Sequence, residues 1–148
     1  MGDEQKTVLF LCTGNYYRSR FAEELFNARS SECLPNWKAI SRALAIKRGV
    51  ANHGPISPFA LAGLERRNIT PLAPLRKPLA CTKKILFHAT HIVALKELEH
   101  RTILEEKFPE WIDRVEYWHV HDVDEALPEQ ALAEIEKNVK SLLLKLAG

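Results

Sequence analysis

Residues 8–11 form a short, uncharged apolar run, VLFL, that stops at Cys12. By Ser19 the hydrophobic period has changed. Phe21, Ala22, Leu25 and Phe26 fall on one helical face, with Glu23, Glu24 and Arg29 elsewhere. Six residues, TGNYYR, join the two patterns. The segment therefore predicts a buried strand, a tight loop and a helix. Ser19 suits the helix start as an N-cap, and Glu23 and Glu24 favour the positive end of its macrodipole. The same alternation recurs downstream. Residues 37–41, 91–95 and 114–118 read as strands. Residues 57–68 read as a helix with Ser57 as N-cap and Pro58 at its first position, and residues 96–108 as another. Leu132, Ile135, Val139, Leu142, Leu143 and Leu146 stand at helical spacing near the end. Residues 42–55 read as a long surface loop, and Pro71, Pro74 and Pro78 punctuate the next connection. Strands alternating with helices predict the α/β class: one domain over residues 1–148, with a parallel sheet covered on both faces.

A chain of 148 residues with 27% charged and 46% hydrophobic side chains is ordinary globular material. Its net charge of +2 gives no support to a nucleic-acid or membrane-surface partner. The polar start MGDEQKT and the shortness of the apolar runs predict a cytoplasmic protein. Three cysteines, Cys12, Cys33 and Cys81, with no C-x-x-C spacing, argue against a disulfide framework or a cysteine zinc site. Cys33 and Cys81 read as buried or incidental thiols.

Cys12 differs because of where it sits. In a parallel sheet a ligand crevice opens at the carboxyl end of the first strand. A loop there that leads into a helix gathers unpaired N–H groups, which suit an oxyanion. Gly14 permits positive φ, and Asn15 is the next most tolerant residue for it. The loop amides and Arg18 favour the thiolate of Cys12, and the planar fork of Arg18 can hold two phosphoryl oxygens at once. A nucleophile and a bidentate clamp on one loop fit phosphoryl transfer to sulfur.

CTGNYYRS, preceded by VLFL and followed by an amphipathic helix, resembles the active-site loop of the low-molecular-weight protein tyrosine phosphatase family. The resemblance implies a four-stranded parallel sheet flanked by helices in three layers, with the phosphatase loop between the first strand and the first helix. It implies hydrolysis of phosphomonoesters with no metal and no cofactor. Thr13, Gly14, Asn15, Tyr16, Tyr17, Arg18 and Ser19 would cradle the phosphate or another oxyanion, with Asn15 bracing the loop and the Ser19 hydroxyl bonded to the Cys12 sulfur. The segment WHVHDVDE matches the family's late acid loop and makes Asp122 the proton donor. Val123 stands where proline is usual, so Asp124 competes for the role. The implied substrates are phosphotyrosine proteins or small aryl phosphates.

Tyr17 stands where the family often has a second cysteine. A protective disulfide between neighbours is then unavailable, and Cys12 is expected to oxidise irreversibly more readily. Mass spectrometry after graded peroxide checks this; recovery of Cys12 as a disulfide would contradict it. Tyr16 and Tyr17 either wall the ring of an aryl substrate or pack against the sheet. Arg42 is a candidate for the site entrance, favouring acidic substrates. His119 and His121 read as solvated or loop-packing side chains rather than metal ligands, and Glu97, Glu99, Glu105, Glu106 and Lys107 as a solvated face. Two rivals remain. One is a thiol-dependent arsenate reductase, with Cys81 as a possible relay partner. The other is a phosphate- or phosphopeptide-binding module without turnover.

Overall fold

The computed structural model describes residues 4–122 and 126–148. Four strands, β1 (Lys6–Cys12), β2 (Trp37–Ala43), β3 (His91–Ala94) and β4 (Val115–Tyr117), form one parallel sheet in the order β2-β1-β3-β4. Among the described residues, five α-helices alternate with them: α1 (Arg18–Cys33), α2 (Pro58–Arg66), α3 (Lys83–His88), α4 (Glu97–Lys107) and α5 (Pro128–Ala147). Short 3-10 turns cover Ile46–Gly49 and Pro109–Arg114.

Strand β1 is central and its residues alternate between two cores. Val8, Phe10 and Cys12 join the cluster built with α1, α2 and α5, where Phe10 meets Phe26 and Trp118 at ring centroid distances of 6.1 and 5.7 Å. Leu9 and Leu11 face the cluster built with α3 and α4. Residues 8–12 are buried on both faces, which is why this part of β1 reads as a continuous apolar run. This is the three-layer α/β architecture expected.

Several local expectations are corrected. Strand β2 runs on to Ala43, because Ala43 exchanges main-chain hydrogen bonds with Leu79 and Cys81 of the proline-rich segment, and Leu44 and Ala45 are buried behind it. The supposed surface loop therefore starts later. Helix α3 was absent from the sequence reading; six residues are too few to show a period, and its signal is Thr82, whose hydroxyl caps Ile85 N–H at 3.2 Å. Ser57 does cap α2, accepting from Phe59 N–H at 3.1 Å. Ser19 does not cap α1. That helix begins at Arg18, behind Tyr17, and has no side-chain cap. Glu23 and Glu24, off the apolar face of α1, are nonetheless buried: both pair with Arg20, itself fully buried, and Glu24 also accepts from Leu72 and Ala73 N–H. Of the two thiols thought incidental, Cys81 is buried and Cys33 is exposed.

Helix α2 packs closely on its neighbours because Gly63 has no side chain. A Cβ there would run into Leu132 Cδ1 and stand 3.2 Å from Phe21 Cε1. Both partners are fully buried, so a shift of either one disturbs the core packing around it. Gly63→Ala is expected to lower stability by about 1–3 kcal/mol despite the better helix propensity of alanine. Urea unfolding checks this, and an unchanged or raised midpoint would contradict it.

Candidate active site

The carboxyl ends of β1 and β3 bring the predicted residues together. Cys12 is the last residue of β1, and residues 13–17 pass from it into α1. Among the described residues, no N–H of residues 13–17 donates to a main-chain carbonyl. Those donors, and the first amides of α1, are left for an oxyanion.

The left-handed turn of this loop falls on Asn15 (φ 53°), not on Gly14. Asparagine tolerates that conformation because its side chain can bond locally. The fully buried Asn15 carboxamide donates to Ser19 Oγ (3.0 Å) and Ser41 Oγ (2.8 Å) and accepts from Leu79 N–H (3.0 Å) and Arg76 (3.2 Å). It ties the loop to β2 and to the proline-rich segment. Ser19 Oγ lies 2.9 Å from Cys12 Sγ. Since it already accepts from Asn15, its own proton is available to a sulfur anion.

Arg18 is almost fully buried, and its guanidinium is held from three sides. Nη1 donates to Val120 O at 3.0 Å, while Nη1 and Nη2 reach the two carboxylate oxygens of Glu99 at 3.3 and 3.0 Å. Nη2 also stands 3.4 Å from Asp122 Oδ2. Burial alone would lower the Arg18 pKa, but Cys12 and Glu99 more than offset it, so the pKa is raised. Backbone pairing puts these groups in place. Val120 N–H bonds Leu95 O, Glu97 N–H bonds Trp118 O, and residues 96 and 119 form an isolated bridge. The segment leading to Asp122 is thus laid over the end of β3 and the start of α4.

Glu99 is the residue that sequence reasoning missed. It was assigned to a solvated face, yet it accepts from both Arg18 and Thr13. His100, fully buried, accepts Lys96 N–H at Nδ1 (3.0 Å), so its Nε2 carries the proton and faces Glu99 Oε2 at 3.2 Å. Burial lowers the His100 pKa and keeps the ring neutral. For Glu99, burial would favour protonation, but hydrogen bonds from His100, Arg18 and Thr13 outweigh it and hold the carboxyl well below its usual range. The available signal was position: a first-turn acid on the helix after β3, the strand beside β1, lies at the crevice rim. Lys107 of the same supposed face reaches back to Leu44 O at 2.7 Å.

Cys12, Arg18 and Asp122 open into a cleft of about 350 Å³ walled by Tyr16, Tyr17 and Phe59. Tyr16 is half-buried, its hydroxyl donating to His53 O at 2.5 Å. Tyr17 is buried behind it, edge-on to Phe59 with centroids 6.3 Å apart, and burial followed by Asp122 pushes its pKa up to about 12. Both tyrosines line the cleft, and Tyr17 also packs into the core on that side of the sheet. Arg42 is not one of the lining residues; its Nη1 donates to Ser41 O of its own strand at 2.7 Å. His119 and His121 are exposed. Cys81 packs in the core on the other face of the sheet from Cys12, with a thiol pushed up to about 12 by burial. Asp124 and Val123 lie outside the described residues. Among the described residues, no helix is long and apolar enough to cross a membrane.

Neither a scan of protein-family models nor a search of curated proteins finds a match. Solved structures do match. A low molecular weight protein tyrosine phosphatase from T. tengcongensis aligns over 95% of this chain and 99% of its own, at 25% identity and a TM-score of 0.80. The YwlE arginine phosphatase from Geobacillus stearothermophilus aligns over 95% and 92%, at 25% identity and a TM-score of 0.74. The low molecular weight protein tyrosine phosphatase SP-PTP from Streptococcus pyogenes, at 20% identity and a TM-score of 0.79 over 96% and 93% of the two chains, shares the fold. With likeness of this extent to phosphatases along nearly its whole length, the chain resembles the low-molecular-weight protein tyrosine phosphatase family and is a protein-tyrosine-phosphatase-like hydrolase.

Proposed function

We propose that the protein hydrolyses aryl phosphomonoesters, phosphotyrosine in proteins above all, through a phosphocysteine intermediate. The observation that carries this is the 2.9 Å approach of Ser19 Oγ to Cys12 Sγ at the start of α1, with the Arg18 guanidinium beside the same crevice. The Cys12 thiolate attacks phosphorus in line, while Arg18 and the amides of residues 13–19 hold the equatorial oxygens. Asp122 gives its proton to the departing phenolate oxygen. The Ser19 hydroxyl then stabilises the sulfur as it leaves. Water, deprotonated by the same aspartate, releases inorganic phosphate. No metal or cofactor enters these steps. A thiolate nucleophile fits a reducing, cytoplasmic setting.

The cleft wall of Tyr16, Tyr17 and Phe59 supports an aromatic leaving group. The paired carboxylates of Glu99 and Asp122 beside Arg18 favour a second reading, a phosphoguanidine substrate, and the similar protein from G. stearothermophilus is an arginine phosphatase. Arsenate reduction by an internal relay is disfavoured because Cys81 lies across the sheet from Cys12.

The test compares para-nitrophenyl phosphate, phosphotyrosine and phosphoarginine as substrates for the wild type and for Asp122→Ala. Faster turnover of the two aryl esters, and an Asp122→Ala loss of about 10²–10⁴-fold on phosphotyrosine, are expected. Phosphoarginine preferred over both would select the second reading. Full activity in Asp122→Ala would remove Asp122 from the mechanism.

A further inference from the structure

The cleft is continuous with a second, larger groove. Gly14 and Asn52 line both, and the groove extends away from Asp122 for about 600 Å³ between the turn that carries Ile46 and Val50 and the segment that carries Leu75 and Lys77. Val50 and Leu75 are 83% and 84% exposed, an unusual state for two large apolar side chains that face one concavity.

The charge around the groove is one-sided. None of its lining residues is acidic. Lys77 lines the groove, and the exposed Lys47 and Arg48 lie on the turn between its Ile46 and Gly49. The acids of the site, Glu99 and Asp122, flank Arg18 instead, and neither lines the groove. A ligand spanning both features therefore meets negative charge beside the acid loop and positive charge along the groove.

We propose that this groove binds the residues flanking the phosphorylated side chain of a protein substrate, and that those residues are acidic with interspersed apolar side chains. The proposal rests on the phosphatase reading and names the substrate class of that same site. Continuity with the cleft gives a bound peptide a path out of the phosphate cradle. Val50, Leu75 and Ile46 supply apolar contact, and Lys77, Lys47 and Arg48 supply attraction and register. A second copy of this chain docked through the same face would set like charges against each other, which opposes self-association there.

The test uses the Cys12→Ser protein, which binds without consuming its ligand, and two fluorescein-labelled phosphotyrosine peptides of equal length. One has Glu and Leu flanks; the other has Lys and Ser flanks. Anisotropy titration is expected to show the acidic–apolar peptide bound about tenfold or more tightly, with the difference shrinking as salt is added. Leu75→Asp or Lys77→Glu in that background is expected to erase the difference. Either substitution in the otherwise wild-type chain is expected to leave para-nitrophenyl phosphate turnover unchanged. Equal binding, no binding, or a preference that survives both substitutions would overturn the proposal. So would peptides bound without preference together with Leu75-dependent sedimentation on anionic phospholipid vesicles, which would assign the face to a membrane. Failure of the phosphatase reading is a separate result: absence of para-nitrophenyl phosphate turnover in the wild type, whatever the peptides do.

Discussion

Cys12→Ser is expected to reduce hydrolysis of para-nitrophenyl phosphate by about 10⁴-fold or more while leaving the fold intact. A hydroxyl is close to a thiol in size, and the buried position on β1 keeps its contacts with Ser19 and the core. What disappears is nucleophilicity. Sulfur is by nature the stronger nucleophile and ionises far more readily than a serine hydroxyl, so the hydroxyl left in its place attacks phosphorus poorly. The Asn15 amide already occupies Ser19 Oγ as an acceptor. Steady-state kinetics with a thermal unfolding check distinguishes a chemical loss from a structural one. Appreciable residual turnover in a folded Cys12→Ser protein would contradict nucleophilic catalysis by this residue.

Arg18→Lys is expected to lower kcat/KM by about 10²–10³-fold even though the charge is kept. Lysine cannot reproduce a fork that reaches Val120 O and both oxygens of Glu99. An ammonium in this site would pair with Glu99 as a point charge and present no planar edge to the phosphoryl oxygens. Because Glu99 is held well below the ordinary carboxylate range, it stays ionised through the working pH range, and the competition does not relax on mild acidification. The loss is expected mainly in kcat, since the fork matters most when charge spreads over the equatorial oxygens. A variant with unchanged kcat and only a raised KM would reduce Arg18 to a general binding charge.

The parts of this molecule that were legible in the sequence are those specified locally. VLFL followed by Cys12 and a helical period reads as strand, loop and helix, and β3 carries a similar apolar run. What escaped the sequence depends on tertiary placement. Ser19 has the composition of an N-cap, but its hydroxyl is engaged by Cys12 and Asn15, and the helix end is left uncapped. Glu23 and Glu24 stand off the apolar face of α1 in the sequence, and their burial comes from Arg20 and the 72–73 backbone folded over them. Glu99 belongs to a polar helix with little periodicity. Only the parallel pairing of β1 with β3 turns its first turn toward Arg18. Phe59 likewise gained its place in the cleft wall from the packing of α2 beside Tyr17.

The central claim is that the phosphoryl group rests on sulfur. Its most direct test is rapid acid quench of Asp122→Ala mixed with para-nitrophenyl phosphate, followed by peptide mass spectrometry. Nitrophenolate leaves with little help from an acid, whereas hydrolysis of the intermediate needs the missing base, so the intermediate should accumulate. The account predicts one added phosphoryl group on the peptide containing Cys12, absent in Cys12→Ser. A burst of nitrophenolate with no phosphorylated Cys12, or a phosphoryl group on another residue, would contradict it.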